Sequence, residues 1–145
     1  MGRVPGNSGV RQSVVALFSV SGMETHAMQA GSLKQADFAA FVREGVVPRL
    51  SAGDVVVLDN ARCHHGKETR EAIEAAGARL VFLPAYSPDF APIELGWRQI
   101  KAFVRQVGPR TPSDLKALVA QAMPRVTPQQ AVGYFAHCGY QTLQT

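Results

Sequence analysis

Two short segments between Asp54 and Arg105 restrict the folds open to this chain more than anything else in its 145 residues. The first, Val55-Val56-Val57-Leu58-Asp59-Asn60, is an apolar, β-branched run that stops at an acid. That pattern predicts a buried strand delivering a carboxylate at its C-terminal end, where open α/β sheets keep their chemistry. The second, Pro92-Ile93-Glu94-Leu95-Gly96-Trp97, opens a helix. Proline suits the first helical position, and Ile93, Trp97, Ile100 and Val104 recur at spacings of four, three and four. Glu94 stands one residue off that apolar stripe, in the first turn, where the helix dipole also favours an acid. Between the two acids lie a short strand, Arg79 to Leu83, and the turn-rich Ala85-Tyr86-Ser87-Pro88-Asp89-Phe90, read as the rigid turn that presents the helix.

The flanking sequence supplies the remaining elements. The apolar run from Ser13 to Val20, the turn Ser21-Gly22 and a weaker strand from Glu24 to Ala30 predict a hairpin. Ser32 with Gln35 has the form of a capping box and starts a helix from Leu33 to about Leu50, whose last turns Gly45 and Pro48 weaken. A helix from about Lys67 to Ala76 is closed by Gly77. Thr111-Pro112 and Thr127-Pro128 each place a hydroxyl cap before a proline at the first helical position, opening helices that run to Met123 and to about Cys138. Residues 1–12 read as a mobile lead, and residues 13–145 as one folded domain with no internal repeat.

Composition narrows the function classes. Hydrophobic residues at 46% and charged residues at 18% describe a globular chain, not a disordered one. No apolar run approaches the ~20 residues that span a bilayer, and no signal peptide is visible, so the expected location is cytoplasmic. Cys63 and Cys138 stand far apart with no ligand cluster around them, which predicts reduced thiols. The net charge of +4 is unevenly spread: Arg98, Lys101, Arg105, Arg110, Lys116 and Arg125 face only Asp114. Such a strip suits a polyanion, and it equally suits a solvated helix face.

Leu58-Asp59-Asn60-Ala61 with His64, Leu83-Pro84-Ala85-Tyr86-Ser87-Pro88-Asp89-Phe90, and Pro92-Ile93-Glu94 with Trp97 and Lys101 together resemble the catalytic domain of DDE transposases, in particular the bacterial insertion-sequence branch of the mariner-like superfamily. Thirty-four residues separate Asp59 from Glu94, the interval associated with that superfamily. The resemblance runs through the closing Phe135-Ala136-His137-Cys138-Gly139-Tyr140. It implies a ribonuclease-H-like mixed sheet flanked by helices, with two extra helices at the C-terminal end. It implies Asp59 and Glu94 as catalytic metal ligands, Mg2+ or Mn2+ as the ions, and DNA, both transposon ends and target, as the partner. Asn60, His64, Arg98, Lys101 and Arg105 become candidate DNA contacts, the last three falling four, seven and eleven positions after Glu94 on the same side of its helix. When such a protein is bound to DNA, a nucleoid association follows.

The chain departs from that pattern in one important respect. The family's first catalytic aspartate sits on a central first strand, yet no Asp occurs here before Asp37, which falls in a predicted helix, and the earlier acid Glu24 opens a hairpin strand. Two-metal phosphodiester chemistry uses ions roughly 3.5–4 Å apart, clamped by convergent carboxylates. With one corner missing, the polypeptide is expected to be an N-terminally truncated domain without autonomous catalysis, leaving the hairpin and the Asp59 strand each with an unpaired edge. Two histories fit this expectation, a degraded open reading frame or the downstream product of a gene expressed in two frames, and the expected protein partner is an intact transposase or a separately encoded N-terminal part. The rival is a non-catalytic DNA-binding or regulatory remnant. A weaker third reading, a stand-alone nuclease or resolvase, needs a third carboxylate.

Each residue also has an ordinary reading. Asp59 can simply cap the turn after its strand, and Glu94 can serve the helix dipole while also binding metal. Asn60 can bond loop backbone, and His64 and His65 can be solvated loop histidines. Trp97, beside Ile93 and Ile100, reads as a core anchor. Ala91 stands where the family usually has asparagine, a position expected to cap the Glu94 helix.

Overall fold

The computed structural model describes residues 2–4, 11–84 and 91–140. Met1, residues 5–10, 85–90 and 141–145 lie outside the described residues, so the turn Tyr86-Ser87-Pro88 and the stretch Asp89-Phe90 are not placed. Five strands and five α-helices are described: β1 (Gly2–Val4), β2 (Gln12–Ser19), β3 (Gly22–Ala30), α1 (Gln35–Phe41), β4 (Val55–Leu58), α2 (Lys67–Ala75), β5 (Arg79–Phe82), α3 (Pro92–Val107), α4 (Pro112–Ala122) and α5 (Pro128–His137). They fall into two compact units, one made of Met1–Ser32 with Pro92–Thr145 and the other of Leu33–Ala91. The mixed α/β class expected from the sequence is the one found.

In the first unit β1, β2 and β3 form an antiparallel sheet in that order. The hairpin β2–β3 runs from Gln12↔Ala30 to Ser19↔Gly22 and shifts register between Leu17 and Phe18. Strand β1 is a correction to the sequence reading. The lead lacks apolar alternation, yet Gly2–Val4 pairs with β2 from Gly2↔Val14 to Val4↔Gln12. A strand added at an edge gains backbone hydrogen bonds whatever its side chains are, so periodicity gives no warning of it. Over residues 12–14, the β2 edge expected to lie unpaired for want of a first strand is therefore paired.

Packed against this sheet are α3, α4 and α5. Val14, Trp97, Ile100, Val104, Leu115, Val119, Ala122, Met123 and Val126 make one buried core. The α3 spacing explains its share, since a period near 3.6 puts Trp97, Ile100 and Val104 on one stripe. Gly96 faces β3 closely, and a Cβ there would lie 2.7 Å from Met23 Cε and 3.8 Å from the Phe18 ring. The threonine caps form as expected: Thr111 Oγ1 accepts from Asp114 N at 3.0 Å and Thr127 Oγ1 from Gln130 N at 3.2 Å. Tyr134 Oη donates to Gln99 Oε1 at 2.8 Å, and Gln99 Nε2 donates to Arg125 O at 2.9 Å, tying α5 and the 3-10 turn after α4 (Met123–Arg125) to α3.

The second unit holds β4 and β5, a parallel pair in register from Val55↔Arg79 to Leu58↔Phe82. Helix α2 packs on β5 and on the turns that follow α1, and its Ile73 is fully buried. Gly77, at φ +83°, closes α2 in the left-handed region, with its N–H bonded to Glu74 O at 2.9 Å. Two expectations are corrected here. The long helix from Leu33 to Leu50 is α1 followed by a π turn (Val42–Val46) and a 3-10 turn (Val47–Arg49) containing Pro48, whose missing N–H cannot continue an α ladder. Its start lies at Lys34, whose backbone N–H donates to Asp37 Oδ2 at 2.9 Å, and not at Ser32. Strand β4, read as buried, alternates instead: Val55, Val57 and Val81 of the pair are exposed, while Val56, Leu58, Leu80 and Phe82 are partly covered.

Candidate active site

Asp59 follows directly on β4, so the strand delivers its carboxylate where the sequence placed it. A 3-10 turn, Arg62–His64, then folds back on that carboxylate. Asp59 Oδ1 accepts from Ala61 N at 3.0 Å and from His64 Nδ1 at 2.9 Å, and the same imidazole nitrogen lies 3.1 Å from the Asp59 carbonyl. The His64 side chain is only 2% exposed, whereas that of Asp59 is 41% exposed. Phe38 of α1 covers the imidazole, ring centroids 4.3 Å apart.

The pair is electrostatically coupled. The hydrogen bond from His64 is the largest influence on Asp59 and, against the opposing effect of burial, holds its pKa down at about 2. For His64 burial is the largest single influence and disfavours charge, but the bonds to Asp59 and Cys63 outweigh it and raise the pKa to about 9. Its other nitrogen, Nε2, has no hydrogen-bond partner among the described residues. His64 is therefore not the surface loop histidine of the sequence reading: it is a buried group bonded to a carboxylate. Its burial depends on Phe38, twenty-six residues earlier, which no local pattern announces.

Asn60 and His65, by contrast, are exposed, and His65 Nε2 lies 2.5 Å from Asn60 Oδ1. Cys63 is buried, and neither it nor Cys138 forms a disulfide.

Glu94 lies in the first turn of α3, in the other unit, where it is partly exposed. Arg98 and Arg105 are exposed and Lys101 is partly so. With a rise of about 1.5 Å per residue, the row from Glu94 to Arg105 extends along roughly 16 Å of one helix flank. The sequence-level basic strip is not all one surface. Arg125 lies with its guanidinium 4.4 Å from the Phe103 ring, a residue on the opposite side of α3 from that row, and Lys116 lies close enough to His26 of β3 to disfavour its charge. Trp97 is the expected anchor, 1% exposed. Ala91, in the place of a polar cap, is buried, and a methyl group suits that position.

No three His, Cys, Asp or Glu side chains gather into a group able to hold a metal ion among the described residues. One Asp59 oxygen is already engaged by two donors. The described residues thus do not make up a complete ion cage by themselves.

The fold has counterparts among solved structures. The chain matches solved structures of Mos1 mariner transposase: the paired end complex with Mn at a TM-score of 0.67 and 16% identity, covering 92% of this chain and 42% of that one. It matches the Mos1 catalytic domain at 0.64 and 14% identity, covering 98% and 81%, and the Mos1 strand transfer complex at 0.59 and 15%, covering 94% and 45%. The chain thus spans less than half of the Mos1 chains in those complexes but most of the catalytic domain. At such identities the likeness is one of fold, a ribonuclease-H-like α/β domain. No curated protein sequence matches. The profile of the DDE superfamily endonucleases matches residues 3–118, and the chain belongs to that family, with the fold of a transposase catalytic domain.

Proposed function

We propose that this chain, chiefly residues 13–145, is the catalytic-domain part of an insertion-sequence transposase whose complete form cuts and joins DNA at transposon ends. The observation that carries the reading is the pre-set carboxylate: Asp59, at a strand end, is held ionised by a buried imidazole at 2.9 Å. A carboxylate kept in one orientation is what a metal-dependent phosphodiester site needs. Glu94 supplies a second carboxylate, and the flank Arg98, Lys101 and Arg105 supplies contacts for the backbone of bound DNA, each neutralised phosphate releasing counterions. Asn60 adds a neutral amide donor beside Asp59.

Mg2+ or Mn2+ belongs to the complete protein in this reading, with Asp59 and Glu94 as two of its carboxylates. The third comes from outside these 145 residues, since none of the first 36 is aspartate. These 145 residues alone are then inactive, and that acid is provided by an N-terminal part or by an intact transposase. A second reading, a DNA-binding regulator that pairs with an intact transposase, is favoured by the same deficit. In both readings the chain acts on the DNA of the cell, in the cytoplasm and on the nucleoid.

A nicking assay with Mg2+ or Mn2+ on labelled inverted-repeat DNA tests the proposal. The chain alone is expected to leave the DNA intact while binding it, and Arg98→Ala with Lys101→Ala and Arg105→Ala is expected to lower affinity and flatten its salt dependence. Robust turnover by the chain alone, abolished by Asp59→Ala, would refute the shared-site reading. Restored cleavage on adding an N-terminal part, but not with Asp59→Ala, separates the enzymatic reading from the regulatory one.

A further inference from the structure

In one surface cluster beside Asp59, only Asn60 takes part in the reading above; His65, Arg70 and Phe82 do not. His65, unlike the buried His64, is exposed, and its ring stacks on Phe82 with centroids 4.1 Å apart and planes 15° apart. Its Nε2 lies 2.5 Å from Asn60 Oδ1. The Arg70 guanidinium lies 5.7 Å from the centroid of the same Phe82 ring. Asn60 comes from the loop after β4, His65 from the position just after the 3-10 turn, Arg70 from α2 and Phe82 from the last position of β5. They meet where the two parallel strands end together, at Leu58↔Phe82.

The arrangement brings polar side chains together at a surface where little stability is returned for doing so. His65 has one ring face on Phe82 and the remainder of an exposed imidazole toward solvent. With Oδ1 engaged by His65, the two N–H donors of Asn60 are left at the other end of the same rigid amide. Arg70 shares Glu74 at 3.3 Å, an exposed pair that a phosphate can displace. A fixed aromatic face, an oriented amide and a nearby guanidinium are the three groups that recognise a base, its edge and its phosphate when the base is out of a duplex.

We propose that His65, Phe82, Asn60 and Arg70 form a site for one unpaired nucleotide of DNA. Its base stacks on His65, its edge accepts from the Asn60 amide and its phosphate meets Arg70. This rests on the DNA-binding reading above and goes beyond it, since the ligand is a single-stranded nucleotide next to the Asp59 carboxylate and not duplex backbone along α3.

Fluorescence anisotropy with the full chain, comparing a labelled blunt duplex with the same duplex bearing a short unpaired tail, tests it. The tailed duplex is expected to bind about tenfold more tightly, the scale of one stacked base. His65→Ala is expected to abolish that preference and leave blunt-duplex affinity unchanged, while His65→Phe, which keeps a stacking ring, retains most of it. Asn60→Asp, which keeps an acceptor for His65 but removes the donors, is expected to weaken the preference, so the test survives if one variant fails to fold. Equal binding of both duplexes by the native chain, or an undiminished preference in His65→Ala, overturns the site while the α3 reading stands. Failure to bind either duplex overturns both.

Discussion

The two units keep their carboxylates in place by different means. Around Glu94 the first unit uses apolar packing: α3 is anchored by Trp97, Ile100 and Val104 in a core to which β2, α4 and the turn after α4 contribute. Around Asp59 the second unit uses a polar latch, a nearly inaccessible imidazole under Phe38, beside a two-stranded sheet whose Val55, Val57 and Val81 stay exposed. Apolar packing is indifferent to pH and fails by cavity formation, whereas the latch depends on one hydrogen bond and on charge. The helix-borne acid is therefore sensitive first to changes in the apolar core, and the strand-borne acid to changes of charge as well as to the packing of Phe38 over His64.

The largest expected effect comes from breaking the packed side. Trp97→Ala should cost about 3–5 kcal/mol, the scale for deleting a buried aromatic, measured by urea unfolding. A loss under about 1 kcal/mol would mean that α3 is held by something other than its apolar stripe.

Breaking the latch comes next. His64→Leu removes a hydrogen bond to a charged group, a loss on the order of 1.5–3 kcal/mol. Its more specific sign is that the Asp59 carboxyl, followed by carbon-13 NMR, titrates nearer its ordinary value. An unmoved titration would show that His64 does not hold Asp59.

The pH responses of the two units should run in opposite directions. His64 has a raised pKa, so its contribution is fully present below 6.5 and is lost as pH rises through about 9. Asp59 has a lowered pKa, so its contribution is present above 3.8 and is lost as pH falls through about 2. His26, in the first unit, is shifted down by burial and then by Lys116, so its contribution is present above 6.5 and is lost as pH falls below that value. Amide exchange read unit by unit, with the single Trp97 as a fluorescent reporter of the first, should show the second unit loosening from pH 6.5 to 9 and the first loosening below 6.5. Identical profiles would end the contrast.

Smaller effects sharpen it. Thr111→Ala and Thr127→Ala should each cost about 1 kcal/mol of cap energy in the first unit. Val57→Thr, on the exposed face of β4, should stay within about 0.5 kcal/mol, and a much larger loss by thermal melting would show that this face is covered in solution.

Much of this was legible because it is local. Proline at the first turn, a threonine before it and apolar spacing near 3.6 set the starts and faces of α3, α4 and α5, and Gly77 marked the end of α2. The alternation hidden in Val55-Val56-Val57-Leu58 was not legible, since four apolar residues in a row look buried on both sides until the partner layers are known. Ser32 and Lys34 compete as caps within two residues, and only the backbone path chose between them. Strand β1 left no signal, because edge pairing satisfies backbone groups without asking anything of side chains.

The order of residues alone determined that Asp59 leaves a strand and Glu94 enters a helix, because both facts follow from periodicity and end signals within a dozen neighbours. Only the tertiary structure decided that His64 would be buried and charged against Asp59 while His65 stays at the surface on Phe82. Burial and pKa are properties of what a side chain is packed against, and Phe38 and Phe82 reach those two histidines through space and not along the chain.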